Sequence, residues 1–364
     1  GGFITAKDLG PVMKIFSERH DRCCDLHKAI EKRAPVKLNY DEEAFKLSKL
    51  KAGERGYDSR KGKLDKLAEK VAAHDKLVEA ARAEIAKVDA RIDAMRAKYA
   101  ADPEFQKHEA LLDNGIDLAR LTYPEVRTLR CQMQYIFQDP YSSLNPRMTV
   151  ANIIGEGLLA HKYCKKANER MHEEILQTME DCGLAPYFLH RYPHQFSGGQ
   201  RQRIGIARSL AVHPKFVVCD EAVSALDVSI QSQIINLLQD LKEQQHLTYL
   251  FITHDLSVVK YISDRIGVMY LGNLVELADS QEIFDHPMHP YTEALLESIP
   301  TTEEKRDLAV LEGDIPSPVN PPKGCKFHTR CKYCTEICTH VVPDWEEVTP
   351  NHFVACHHKL HTNE

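Results

Sequence analysis

No Gly-x-x-x-x-Gly-Lys-Ser/Thr run occurs anywhere in the 364 residues, so the chain holds no phosphate loop of the usual kind. It has no apolar run long enough to cross a bilayer and no recognisable secretory leader, so any membrane role is expected to be peripheral, through a partner that does span it. A basic excess is also missing. The net charge is −6, which argues against a surface built to coat nucleic acid. Against these absences stand ordinary totals, 43% hydrophobic and 27% charged residues, typical of a globular chain. At this length a single core stops growing, so two or more units are expected. The 11 cysteines sit in a large chain without a leader, where reduced thiols or metal ligands are expected rather than disulfides.

Composition changes sharply along the chain. Residues 1–10 read as the end of a strand and a turn belonging to an incomplete catalytic domain. From Pro11 to about Leu112 the sequence turns to Lys, Glu, Asp and Ala. There Leu64, Leu67, Val71, Val78, Ile85, Val88, Ile92, Met95 and Tyr99 fall at alternating three- and four-residue steps, the seam of a coiled coil. An earlier stripe of Val12, Ile15, Cys23, Leu26 and Ile30 begins behind Pro11, a favoured first-turn residue, and supplies an antiparallel partner. Residues 11–112 are therefore expected to form a helical hairpin insertion. Residues 113–285 are expected to be the α/β catalytic domain. Gln132–Phe137 reads as a strand ending at Gln138, and strand and helix patterns alternate over 216–219, 228–244, 248–253, 255–263 and 265–270. That alternation predicts a parallel sheet with helices on its faces. Proline-rich residues 286–324 read as a linker into a cysteine-rich tail at 325–364.

The chemistry concentrates in residues 196–254. Phe216–Cys219 is a buried strand running into Asp220 and Glu221, and ligands of open parallel sheets bind beyond such carboxyl ends. Asp220 suits a hydrated Mg²⁺, which prefers oxygen ligands and keeps several waters. Glu221 beside it can take a proton from an attacking water. His254 ends a second apolar run, and Gln138, after its own strand, can orient water or reach the metal. Ser197-Gly198-Gly199-Gln200 opens a helix whose N–H groups and positive dipole end would face an anion. Each feature has a plain structural reading, as an acidic helix start, a core histidine or a serine cap. Their shared order favours a site that cleaves a nucleoside triphosphate.

These residues resemble the ATP-binding subunits of ABC transporters. Phe196–Gln200 matches the signature, Gln138 the Q-loop, Asp220 the Walker B aspartate and Glu221 the catalytic glutamate. Ser224-Ala225-Leu226-Asp227 matches the D-loop and His254 the switch histidine. The stretches Gln138–Arg147, His254–Val259 and His289–Leu296 resemble the oligopeptide/dipeptide importer branch, and the likeness covers about residues 113–358. The resemblance implies a P-loop core of ABC type with a helical subdomain inserted over 138–213, the remainder of the core occupying 214–285. It implies ATP and Mg²⁺ as ligands, and a head-to-tail dimer with a second ABC ATPase subunit in which Ser197, Gly198, Gly199 and Gln200 act in trans. It further implies permease subunits in the membrane, an extracytoplasmic peptide-binding protein indirectly, no nucleic acid, and a place at the cytoplasmic face of the plasma membrane. Three departures stand out: the phosphate loop and the adenine-stacking aromatic would lie upstream of Gly1, Ala222 replaces the usual proline, and the 11–112 insertion is not part of the common pattern. Without its phosphate loop the chain is expected to be inactive by itself.

Cys325-x5-Cys331-x6-Cys338-x17-Cys356 is similar to a tail of many peptide-transporter ATPases, some of which imply an iron–sulfur cluster. Four thiolates suit a [4Fe–4S] cluster or tetrahedral Zn²⁺, and the spacing is looser than a zinc knuckle. A tail of unmetallated buried thiols is the third possibility. Two other functional classes remain open, a non-transport ABC ATPase acting on DNA and a degenerate regulatory protein. Intact Glu221 and His254 count against the latter, and the acidic charge against the former.

Overall fold

The computed structural model describes residues 3, 8–110, 112, 115–164, 167–298, 314 and 316–361. They divide into two units, one of Gly1–Gln134, Asn145–Gln195 and Ile206–Pro214, the other of Tyr135–Leu144, Phe196–Gly205 and Lys215–Glu364. The strand and turn expected over residues 1–10 lie almost wholly outside the described residues.

In the first unit, helix α1 (Gly10–Ser48) and helix α2 (Tyr57–Tyr99) pair along their lengths. Their ion pairs fix the direction: Arg19 meets Asp89 at 2.6 Å, Glu18 meets Arg91 at 2.9 Å, and Arg33 meets Asp75. Rising numbers on one helix meet falling numbers on the other, so the pair is antiparallel. Val12, Ile15, Val78, Val88 and Ile92 are buried between them, while Ile30 of the predicted stripe is 41% exposed. Near the turn, Glu43 gathers Lys46 (3.1 Å), Arg60 (3.3 Å) and Lys63 (2.9 Å). Burial opposes its charge, yet the bonds from Lys63 and Lys46 hold its carboxyl below the ordinary range. At the other end Phe3 packs edge-on against Phe16, Tyr99 and Phe105, the last from α3 (Pro103–Ala110).

Helix α4 (Tyr123–Gln132) begins with a capping box, Thr122 to Glu125, which satisfies two otherwise orphaned N–H groups. Helices α5 (Val150–Ala160) and α6 (Glu169–Asp181) start at the side-chain caps Thr149 and Asn168. They bury Ile153, Ile154, Leu158, Met171, Ile175 and Met179. A Cβ on Gly155 would stand 2.1 Å from Met171 Cε, so a side chain there would have to displace the end of the Met171 side chain. Residues Ile206–Leu210 of α7 (Gly198–Leu210) complete this unit.

The second unit holds two sheets. Strand β1 (Met133–Ile136, its last two residues in this unit), β2 (Phe216–Asp220) and β3 (Thr248–Ile252) form one, in that order. β2 and β3 run parallel, with Phe216 opposite Thr248 and Asp220 opposite Ile252. Helices α8 (Val228–Gln245) and α9 (Leu256–Ile262) follow β2 and β3, as the alternation predicts.

Residues 265–270 depart from that prediction. They form β4 (Arg265–Tyr270), which pairs antiparallel with β5 (Asn273–Asp279) in a separate four-stranded sheet. The cause is the two-residue turn Leu271-Gly272, both at positive φ (45° and 76°). Such a turn matches strand twist and closes a hairpin, leaving no length for a parallel crossover. The predicted linker also contains structure. After α10 (Ser280–Asp285), helix α11 (Pro290–Glu297) starts at a proline and buries Thr292 and Ala294. Most of the rest of the expected linker, 299–313, lies outside the described residues. The tail, with α12 (Glu336–His340), β6 (Glu346–Thr349) and β7 (His352–Val354), joins the second sheet through β7 against β5.

Candidate functional site

The site is built at the carboxyl end of β2. Val217 and Cys219 are fully buried, so alternation leaves Asp220 at the strand's edge of solvent. The next residue turns sharply: Glu221 has φ 43°, and its N–H donates to the Ile252 carbonyl of β3 at 2.9 Å. A non-glycine residue in this left-handed region is held there by its surroundings. The turn presents its carboxylate to two partners. His254 Nδ1 lies 3.1 Å from Glu221 Oε1, and the Gln138 amide donates to Oε2. Gln138, Glu221 and His254, far apart in sequence, thus meet around one carboxylate. The Glu221 side chain is 27% exposed and that of His254 74%, so a water or a phosphate has access to both. Ser224 Oγ donates back to the Glu221 carbonyl at 3.0 Å, closing the turn that carries it.

Asp220 accepts a hydrogen bond from the Tyr135 hydroxyl of β1. That bond, with burial and the carboxylate's charge, pushes the Tyr135 phenol above its ordinary value. Sequence reasoning missed Tyr135. The available signal was a tyrosine at an otherwise apolar strand position, three residues before Gln138.

The signature turn is a reciprocal cap. Gln200 N–H donates to Ser197 Oγ (3.4 Å) while Ser197 N–H donates to Gln200 Oε1 (3.1 Å). A Cβ on Gly199 would stand 2.4 Å from Ile230 Cγ2 of α8, and one on Gly198 3.6 Å from Leu226 Cδ2. Asp227 caps α8 by accepting from the Ile230 N–H at 3.0 Å. Gly199 and Asp227 therefore both meet Ile230, the glycine at its side chain and the carboxylate at its N–H, a residue that no motif reading singled out. Arg201, next in the chain, lies over the Tyr141 ring at 4.9 Å. Asp139 accepts from the Tyr141 N–H at 2.7 Å. That bond, then Ser142 and the Arg201 charge, hold the Asp139 carboxyl below its usual range.

β3 is an edge of its sheet among the described residues, yet Leu250 and Ile252 on it are 50% and 45% exposed. Natural edge strands usually carry charges or proline instead.

Cys325, Cys331, Cys338 and Cys356 all border one narrow cavity. Gly324 (φ 65°) makes the approach, since a Cβ there would meet the Cys338 carbonyl at 2.4 Å. Cys325 N–H donates to that same carbonyl at 2.8 Å. Burial, helped by the neighbouring thiols, pushes Cys331 up to about 11 and Cys356 up to about 12. Among the described residues no three His, Cys, Asp or Glu side chains converge on a point that would hold one metal ion. Behind this cavity Glu276, fully buried, accepts from Met288 N–H (2.6 Å) and His289 N–H (3.0 Å), and lies 2.8 Å from His352 Nε2. That clasp ties β7 of the tail to β5.

Comparison with known proteins places this geometry. Residues 97–224 match the ABC transporter family, and residues 275–338 match the oligopeptide/dipeptide transporter C-terminal region. The chain is 52% identical over 253 residues to the oligopeptide transport ATP-binding protein AppF of Bacillus subtilis, covering 68% of this chain and 76% of that one. It is 51% identical over 248 residues to a putative peptide import ATP-binding protein of Brucella ovis (68% and 78%). To the oligopeptide transport ATP-binding protein OppF of Haemophilus influenzae it is 47% identical over 246 residues (66% and 74%). Among solved structures, an ATP-binding cassette in a post-hydrolysis dimer with ADP and Pi aligns at TM-score 0.41 and 27% identity, over 46% of this chain and 72% of that one. With motifs, site geometry and relatives in agreement, the chain belongs to the ABC transporter ATP-binding proteins, in their oligopeptide/dipeptide branch.

Proposed function

We propose that this chain is the ATP-hydrolysing subunit of a peptide importer, peripheral to the cytoplasmic face of the membrane and bound there to permease subunits. One observation carries the proposal: the Glu221 carboxylate held between Gln138 and His254 at the end of the Asp220 strand. In this reading Glu221 accepts the proton of the attacking water, His254 faces the transferred phosphoryl group and Gln138 orients the water. Asp220 would hold Mg²⁺ through water, with Tyr135 fixing its carboxylate. Mg²⁺ would neutralise charge developing on the phosphate oxygens. Asp220 suits it as an oxygen donor at an open strand end.

Ser197, Gly198, Gly199 and Gln200 present helix N–H groups to an anion, and we assign that anion to the triphosphate held by a second ATPase subunit. Asp227 stands behind them as the cap of α8. The triphosphate's own cradle, the phosphate loop, has no counterpart in these 364 residues. The apolar edge of β3, with Leu250 and Ile252 half-exposed, is where a further parallel strand carrying it would pair. No helix among the described residues is long and apolar enough to cross a membrane, so transport itself falls to the permease partners.

Phosphate release tests this reading. Joined to a phosphate-loop segment taken from a relative (hereafter the full-length protein), the chain is expected to hydrolyse ATP, and these 364 residues alone are expected not to. Glu221→Gln in the full-length protein lowers release by about 10²–10⁴-fold and accumulates an ATP-bound dimer. Unchanged release by Glu221→Gln sinks the assignment.

For the tail we propose an iron–sulfur cluster held by Cys325, Cys331, Cys338 and Cys356. A single zinc at about 2.3 Å from each sulfur needs the sulfurs roughly 3.8 Å apart. The four thiols border one cavity, and in a cluster each cysteine takes a different iron. Iron and acid-labile sulfide in equal amounts, lost in Cys356→Ser, is the expected assay. One zinc per chain, or no metal, overturns it.

A further inference from the structure

We propose that the turn end of the α1–α2 hairpin is a contact site for anionic phospholipid headgroups. The proposal rests on the reading of the chain as a membrane-transporter ATPase, and adds a contact made by the chain itself. The observation behind it is a division of charge along the hairpin. In the stem, cations face carboxylates across the helix pair, as in Arg19–Asp89, Arg91–Glu18 and Arg33–Asp75. Towards the turn the carboxylates thin out, and Glu43 alone meets several cations there, Arg60 and Lys63 across the pair among them. Residues 46–70 carry nine Lys and Arg against four Asp and Glu, in a chain whose net charge is −6.

Four of the nine are engaged. Lys46, Arg60 and Lys63 surround Glu43, and Lys49 pairs with Glu173 of α6. The remaining five, Lys51, Arg55, Lys61, Lys66 and Lys70, are exposed, and none has a carboxylate within 4 Å among the described residues. The turn between the helices holds Ala52, Gly53 and Gly56, all exposed, while Leu50 and Tyr57 are half-buried. The turn thus offers cations with no large exposed apolar side chain to insert. Such a surface binds by charge alone and releases in salt.

The occupant follows from charge complementarity and from the company the chain keeps. Counting Glu43, which Lys46, Arg60 and Lys63 share, the surplus near the turn is four positive charges, so the remainder of the chain is more negative than the total. A negative leaflet therefore attracts this end and repels the rest. Only cations within about a Debye length, roughly 8 Å, of the headgroups count, and a helix rises about 1.5 Å per residue. Lys51, Arg55 and Lys61 meet that condition together. Each contributes roughly fivefold to partitioning at a negative surface, but Glu54 and Asp58 stand in the same span, so the net of one positive charge gives roughly fivefold.

The experiment is co-sedimentation of the whole chain with vesicles of phosphatidylcholine alone or mixed with phosphatidylglycerol. The expected result is roughly fivefold tighter binding to the phosphatidylglycerol vesicles, reversed by high salt. The triple variant Lys51→Glu, Arg55→Glu and Lys61→Glu abolishes that preference. The stem variant Lys14→Glu, Lys76→Glu and Lys98→Glu, of equal charge change, keeps most of it, and circular dichroism shows both variants folded. Equal binding to both vesicles, or equal loss in both variants, overturns the proposal. So does binding to a DNA duplex or single-stranded RNA tighter than to the vesicles, which makes the partner a nucleic acid. Phosphate release by the full-length protein in solution, without vesicles, tests the transporter reading separately.

Discussion

Gly199 illustrates how one residue answers to two demands. As part of a phosphate-facing turn it lets a ligand approach the backbone. In the folded chain it also clears Ile230, whose Cγ2 would stand 2.4 Å from any Cβ. Gly199→Ala therefore costs about 1–3 kcal/mol from overpacking, measured by urea unfolding. Adding Ile230→Ala recovers much of that strain, less the small cavity it opens, while ATP hydrolysis by the full-length protein stays impaired. Recovery of both would reduce Gly199 to a packing residue. Gln138, Glu221 and His254 were legible as candidates because each follows a strand pattern. Their meeting around one carboxylate was not, since it depends on Glu221 turning into the left-handed region at the end of β2. Tyr135 escaped notice because a tyrosine in a strand is ordinary until its hydroxyl is seen on Asp220.

At the scale of elements, α1 runs through Pro35 without a break. Proline removes a helix hydrogen bond and crowds the preceding turn, at a cost of about 3 kcal/mol. The partner helix offsets it, with Arg33–Asp75 pairing two residues away and Val78 buried nearby in the α2 stretch facing it. Pro35→Ala raises the stability of the hairpin by up to about 3 kcal/mol, read as a higher melting temperature by circular dichroism; an unchanged or lower value contradicts this account. The heptad-like spacing made the hairpin legible, because apolar steps of three and four residues mark a helix face without reference to anything distant. The β4–β5 hairpin was misread for the opposite reason. Leu271-Gly272 is a weak turn signal beside Asn-Gly or Asp-Gly, and the preceding βα alternation suggested a continuing parallel sheet.

Across the whole molecule, the second sheet carries a pH dependence set by two buried histidines of opposite behaviour. Burial pulls His289 down to about 4, against a smaller upward push from Glu276. The unfolded chain thus takes up its proton first, and stability is lost as pH falls from about 6.5 towards 4. A shift of that size corresponds to about 3 kcal/mol at most. Burial also pulls on His352, but Glu276 and then Glu282 raise it beyond its ordinary value. Its contribution is complete below that value and fades as pH rises through the folded one. Urea midpoints against pH are expected to fall on the acid side, and His289→Gln, which keeps an acceptor for the Tyr291 N–H now bonded at 3.0 Å, flattens that limb. An unaltered acid limb in the variant refutes the assignment.

The sequence by itself determined the local facts: which residues end strands, where glycines permit close approach, which helix faces are apolar, and the order of motifs that marks the family. Each of these is written in neighbouring residues, because hydrogen bonding within an element and its side-chain period need nothing from elsewhere. Only the tertiary structure decided what depends on distant residues arriving together. That set includes the Gln138–Glu221–His254 contact, the meeting of Gly199 and Asp227 at Ile230, and the Glu276–His352 clasp that brings the cysteine tail onto β5. Such contacts are specified by packing and by the satisfaction of buried polar groups, and neither leaves a period in the chain.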